Sequence, residues 1–219
     1  GLNPEKALNY GLSFRQGFNL NNQDGDITID YYVTDFDNQI VVDWENQGEL
    51  SFYNLDGKSY AKSFQIEVDY SVSNNINFKS AFKNYNVKKQ YNSGFKQNPL
   101  TPKNRFFMNI DFFSTKNDKG RQWKFDFTYN RVGKQRLPIH SDQSLYNGWS
   151  PSYTLLNTQL TRVFSEKFEI YLGGENIGNY TQNDPILDSD NPFGTNFDST
   201  LIFAPIIAPM LYIGVRLKL

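Results

Sequence analysis

The sequence predicts an all-β chain, an antiparallel up-and-down meander of about nine strands. Apolar and polar residues alternate with a period of two in one stretch after another, the pattern of strands with two different faces. Aromatic residues, which suit pleated strands, are abundant: 19 Phe, 14 Tyr and 3 Trp in 219 residues. The segments between the stripes also alternate in length, short then long, along the whole chain.

The first stripe runs over residues 8–20, with Leu8, Tyr10, Leu12, Phe14, Phe18 and Leu20 against Asn9, Gly11, Ser13, Arg15, Gly17 and Asn19. Ile27, Ile29, Tyr31 and Val33 make the second, against Asp26, Thr28 and Asp30. The third is the cleanest: Tyr60, Phe64, Ile66, Val68, Tyr70 and Val72 face one way, and Ala61, Ser63, Gln65, Glu67, Asp69 and Ser71 the other. Ile76, Phe78 and Phe82 alternate with Asn77, Lys79 and Lys83 in the fourth. Phe106, Met108, Ile110 and Phe112 form the fifth, its other face blurred by Phe107 and Phe113. The sixth sets Trp123, Phe125, Phe127 and Tyr129 against Lys124, Asp126, Thr128 and Asn130. Leu156, Leu160 and Phe164 make a weaker seventh, and Phe168, Ile170 and Leu172 an eighth. Leu211, Ile213, Val215, Leu217 and Leu219 make the ninth. No stretch reads as a helix.

The connections NNQDG, SNN, TKNDKG and SEK are short. Residues 38–58, 89–102, 133–152 and 179–207 form the long ones. In a meander every second connection lies on the same side, so one rim carries tight turns and the other long loops. That asymmetry is the architecture of a transmembrane outer-membrane barrel, with short periplasmic turns and long extracellular loops. If the last strand descends to the periplasm, all four short turns lie there. Nine is odd where single-chain barrels usually have an even strand number. Either a further strand lies near residues 39–55 or the rest of the barrel lies outside this sequence.

Composition narrows the function classes. The longest apolar run, LIFAPIIAPMLYIGV, is broken by Pro205 and Pro209, well short of the roughly 20 residues of a spanning helix. There is no cysteine, so no disulfide scaffold and no Cys-based metal or nucleophile site. A formal charge of −1 with scattered Lys and Arg argues against a nucleic-acid partner. His140 is the only histidine and no GxSxG elbow is present, so the expectation is no enzyme, no cofactor and no metal site. The pairs Asp35 with Asp37 and Asp188 with Asp190 put oxygen ligands together, but DSDNPFG lacks the spacing and final Glu of an EF-hand loop.

The polar stripes contain Arg15, Glu67, Asp69, Lys79, Lys83, Lys124, Asp126 and Glu175. On the barrel reading these line a water-filled lumen; on the plainer one they are the solvated face of an ordinary sheet. Tyr10, Tyr31, Tyr60, Tyr70, Tyr85, Trp123 and Tyr129 sit near strand ends, as interfacial girdles do. Trp44, Tyr146 and Trp149 lie in long loops, where aromatic rings stack on sugars or apolar ligands, or pack the loops on one another.

LNPEKALNYGLSF resembles the opening of a descending strand in the C-terminal half of TonB-dependent outer-membrane receptors. SPSYTLLNTQLTRVFSEKFEIYLGGENIGNY is similar to their penultimate hairpin, with its G-x-E-N-hydrophobic strand end, and NPFGTNFDSTLIFAPIIAPMLYIGVRLKL to their last loop and closing strand. DPILDSDNPFG looks like the Bacteroidetes type of these receptors. The resemblance covers almost the whole chain but only the last third or so of such a receptor. It implies that residues 1–219 are one barrel segment, a partial barrel without the plug domain, in the outer membrane of a bacterium. It further implies that the eight charged residues contact a plug. The partners implied are outer-membrane lipid, the plug and remaining strands, and a TonB-type energy-coupling complex. The implied cargo is a bulky nutrient: a metal chelate, cobalamin or an oligosaccharide. The alternative is a soluble or surface-attached barrel or sandwich that binds a ligand and buries the apolar stripes as its core.

Overall fold

A computed structural model describes residues 1–45, 49–138 and 146–218. Twelve strands follow one another: β1 (Lys6–Leu20), β2 (Gln23–Asp37), β3 (Ile40–Asp43), β4 (Ser51–Asn54), β5 (Ser59–Ser73), β6 (Ile76–Tyr91), β7 (Gly94–Gln97), β8 (Asn104–Phe113), β9 (Gln122–Val132), β10 (Tyr153–Ser165), β11 (Phe168–Glu175) and β12 (Met210–Leu217). Nine of them form the antiparallel path β1-β2-β5-β6-β8-β9-β10-β11-β12, all paired with their neighbours in chain order. The predicted meander is therefore present. The described residues 39–45 and 49–55 do not supply a tenth strand to it: among the described residues β3 and β4 pair only with each other, as a separate hairpin. β7 pairs with the far end of β6 and prolongs it into the loop region.

The short connections are Asn21–Asn22, Asn74–Asn75, residues 114–121 and Glu166–Lys167. They lie at one rim, and the described residues of the long connections, 38–45, 49–58, 92–103, 133–138, 146–152 and 176–209, lie at the other. Asn21 and Asn22 have φ of 55° and 59°, as a two-residue hairpin turn requires of both central positions. Asparagine tolerates that region well, so the turn uses the two asparagines. Asp24 and Gly25, which resemble turn residues in the sequence, continue β2 instead.

Register fixes the faces. Leu12 opposes Tyr31, Tyr31 opposes Phe64, and Phe14 opposes Ile29, which opposes Ile66. Ile66 opposes Phe82, Phe82 opposes Phe106, and farther on Phe125, Leu160, Leu172 and Ile213 form one apolar row. Most of this face is uncovered: Leu12 is 80% exposed, Ile213 75% and Leu217 70%, although Val33 on it is buried. The buried clusters sit in the long-loop layer instead. One comprises Leu137, Leu201, Phe203 and Ala204; the other comprises Val41, Leu55 and Tyr91.

Candidate functional site

The opposite face of the sheet gathers all eight charged residues singled out in the sequence. Arg15 opposes Thr28, which opposes Glu67. Asp26 opposes Asp69, Asp69 opposes Lys79, and Lys79 opposes Asn109. Lys83 opposes Arg105, Lys124 opposes Phe113 and Asp126 opposes Asp111. Glu175 lies at the loop end of β11, in step with Glu169 and Tyr171. Opposed residues share a face and strand residues alternate between faces, so these positions share one surface.

Most of these charges are already engaged. Arg15 pairs with Asp26 at 3.1 Å and Lys79 with Asp69 at 3.3 Å. Lys124 lies 4.0 Å from Glu169, which Arg216 also holds. Asp126 accepts a hydrogen bond of 2.7 Å from Asn109 Nδ2. Glu67 accepts one from Gln65. Lys83 lies over the ring of Tyr85, 5.3 Å from its centroid. A trough of about 430 Å³ runs along the face near the short turns, lined by Asp24, Asp26, Asp69, Lys79, Asn109 and Asp111 among others. The trough itself is acidic, with the carboxylates of Asp24, Asp26, Asp69 and Asp111 against the ammonium of Lys79. The cations Lys83 and Arg105 stand toward the long loops.

The face is smoothed by three tyrosines lying across glycines of the neighbouring strand. Tyr32 covers Gly11, Tyr212 covers Gly173 and Tyr171 covers Gly214, so a Cβ at any of these glycines would collide with the ring. Tyr85, expected on the apolar stripe, belongs to this polar face: it opposes Ser63, whereas the apolar row of β6 is even-numbered. Tyr10, Tyr31, Tyr60, Tyr70, Trp123 and Tyr129 do lie on the apolar face.

Above the polar face the long loops are packed onto each other. Arg136 is the link. Its guanidinium grips the Glu45 carboxylate with two nitrogens, donates through Nε to the Gln97 carbonyl, and lies 5.6 Å from the centroid of Tyr91. Lys96 Nζ adds a second cation at 3.2 Å from Glu45. Three loops are thereby clasped around one buried carboxylate. Gln182 does similar work in the other cluster: Oε1 accepts from the amides of Phe203 and Ala204, and Nε2 donates to the Leu201 carbonyl. In the β3–β4 hairpin, Tyr53 donates to Asp43 at 2.6 Å. Burial first, and then that bond, pushes the Tyr53 hydroxyl up to about 12.

Of the three loop aromatics, Tyr146 packs edge-on against Phe203 at 5.4 Å and donates to the Asn183 carbonyl. Trp149 carries Lys103 Nζ at 3.9 Å from its ring centroid. Trp44 is half-buried and enters no ring pair among the described residues. His140 lies outside the described residues. Among the described residues, no three His, Cys, Asp or Glu side chains form a metal-holding group. Sequence reasoning missed Glu45, Lys96, Arg136 and Arg105. It also missed Phe193, wholly exposed in the last long loop.

A family model described as TonB dependent receptor-like, beta-barrel matches residues 1–177. Among solved structures, the chain is similar to the crystal structure of the ferric-catecholate import receptor Fiu from K12 E. coli in its closed form. The TM-score is 0.63 at 14% identity, covering 98% of this chain and 28% of that one. At that identity the likeness is one of fold, and the chain spans less than a third of the receptor it matches. No curated protein matches.

Proposed function

The chain belongs to the TonB-dependent receptor-like β-barrel family, bacterial outer-membrane receptors rather than enzymes, and from that premise we propose that it is the C-terminal barrel portion of a Bacteroidetes-type receptor importing a bulky nutrient. A metal chelate, cobalamin or an oligosaccharide fits that reading. The observation that carries it is the two-faced sheet: an uncovered apolar face, a charged opposite face, and all long loops at one rim. In lipid the apolar face meets acyl chains, the charged face lines the lumen, and the long loops face the cell exterior. DPILDSDNPFG is the residue basis for the Bacteroidetes assignment.

In this reading Arg15, Glu67, Asp69, Lys79, Lys83, Lys124, Asp126 and Glu175 face a plug domain supplied by the rest of the receptor. Trp44, Tyr146 and Trp149 stand in the loops that meet the nutrient. A TonB-type complex drives transport through the remainder of the polypeptide. Fractionation of source cells with an antibody to this chain tests the proposal. A band several times heavier than the 25.4 kDa of this chain, released from the outer membrane by detergent, supports it. A band of that mass in a soluble fraction refutes it in favour of a soluble ligand-binding protein.

A further inference from the structure

Lys83 and Arg105 stand directly opposite each other on β6 and β8, on the charged face and just below the long loops. Like charges in directly opposed positions repel and are unfavourable in a sheet. The flanking positions of the same cross-strand row are Gln65 and Val132, neither of which supplies an anion. Among the described residues neither cation has a carboxylate within ion-pair distance. Elsewhere on this face cations stand beside carboxylates, Arg15 by Asp26, Lys79 by Asp69, and Lys124 and Arg216 by Glu169, whereas Lys83 and Arg105 face each other.

A cavity of about 270 Å³ opens on the two cations, lined by Lys83, Tyr85, Leu100, Thr101, Pro102 and Arg105. Its roof is a built one. Leu100 is held at a φ of 51°, unusual for a branched side chain, while its amide donates to the Arg136 carbonyl at 2.9 Å. Strain of that kind persists where the surroundings over-determine it, as at ligand clamps. Asn98 Nδ2 donates to Thr101 Oγ1 at 2.7 Å, and Pro102 bridges to Gln135. The roof is thus fastened to the loop clasp rather than loose above the cavity.

We propose that Lys83 and Arg105 form an anion-binding site at the loop-side mouth of the charged face, taking a carboxylate- or phosphate-type group. Arg105 offers the planar fork that suits such oxygens, and Lys83 a point charge. Tyr85 supports the ammonium from one side, and residues 100–102 wall the cavity on its loop side, while both cations are themselves exposed and accessible to an incoming anion. The anion comes either from an imported ligand or from a carboxylate of the remaining receptor, and the chemistry of recognition is the same. The location inside a lumen rests on the transport reading; the paired cations and their cavity do not.

The test uses the full-length receptor carrying this chain, purified in detergent, with citrate and inorganic phosphate as probes. A ligand site gives saturable calorimetric binding of one of them, weakened by added salt. Lys83→Gln or Arg105→Gln then lowers affinity about tenfold or more, and Lys116→Gln at the opposite rim leaves it unchanged. A site filled by the receptor's own carboxylate gives no free-anion binding. Lys83 is then acetylated at least tenfold more slowly than Lys116, and both Gln variants lower the melting temperature. No binding, with Lys83 as reactive as Lys116, overturns the proposal. The fractionation experiment fails or succeeds independently of these readouts.

Discussion

Replacing Arg136 by alanine removes the centre of the loop clasp, and the cost follows from its burial. The paired side chains are 7% and 5% exposed, so Glu45 is left as a buried carboxylate without its bidentate partner. Removing one member of a buried pair typically costs about 3–5 kcal/mol. Lys96 stays at 3.2 Å and is 24% exposed, so it offsets part of the loss and places the expected cost near the lower value. A cost of about 3 kcal/mol corresponds to roughly a hundredfold rise in the open fraction of the loop layer. Hydrogen exchange is the assay. The amide of Leu100, bonded to the Arg136 carbonyl of another loop, and that of Leu55, bonded to the Gln39 carbonyl within the loop that carries Glu45, report the opening. Amides in the β5–β6 ladder serve as reference. The loop amides exchange about a hundredfold faster in the variant while the reference does not change. The paired replacement Glu45→Leu with Arg136→Met, which removes both buried charges and leaves only the partly exposed Lys96 without its anion, exchanges close to the parent rate. An acceleration below threefold in Arg136→Ala, or one shared equally by β5 and β6, refutes the reasoning.

The two faces are separable by adjacent substitutions in β1. Leu12→Arg puts a charge on the apolar face at a cost of about 2–4 kcal/mol in lipid, whereas Ser13→Arg, opposite Asp30, is close to neutral; the folded fraction by heat-modified gel mobility reads both. Gly11→Ala drives a methyl group into the Tyr31 carbonyl and the Tyr32 ring, costing about 1–3 kcal/mol in urea-titrated stability. Tyr53 has its hydroxyl raised to about 12, so it binds a proton in the folded state that the unfolded chain releases near 10. Its stabilisation is full below pH 10 and is lost as pH rises toward 12, so stability falls across that window by less in Tyr53→Phe than in the parent.

The strands were legible because a half-buried or half-lipid-facing strand must alternate, and the short turns lie between uninterrupted stripes. The loop clasp was not. Glu45 and Arg136 are 91 residues apart, and nothing in either local sequence marks a bidentate pair. Arg105 escaped for a different reason. β6 and β8 are joined by residues 92–103 rather than a tight turn, so turn geometry does not fix their register and the opposition to Lys83 emerges only from the folded ladder. Tyr85 is an odd number of residues from Phe82 along β6, so it lies on the charged face with Ser63; only its aromatic character suggests the apolar one. Residues 40–43 and 51–54 alternate as strands should, but they close on each other above the sheet, where Val41 and Leu55 bury against Tyr91.

The main path follows chain order throughout, with only the β3–β4 hairpin and β7 intervening between paired neighbours. No strand waits for a distant partner, so the entropy of closing long loops is spread over small successive steps. The Asn21–Asn22, Asn74–Asn75 and Glu166–Lys167 turns allow their hairpins to zip from the turn outward, on the microsecond scale of isolated hairpins. The sheet then grows by docking one hairpin onto the exposed edge of the last. Such a chain can be threaded into a bilayer a hairpin at a time, with only the two outer strands of the growing sheet lacking backbone partners on one side.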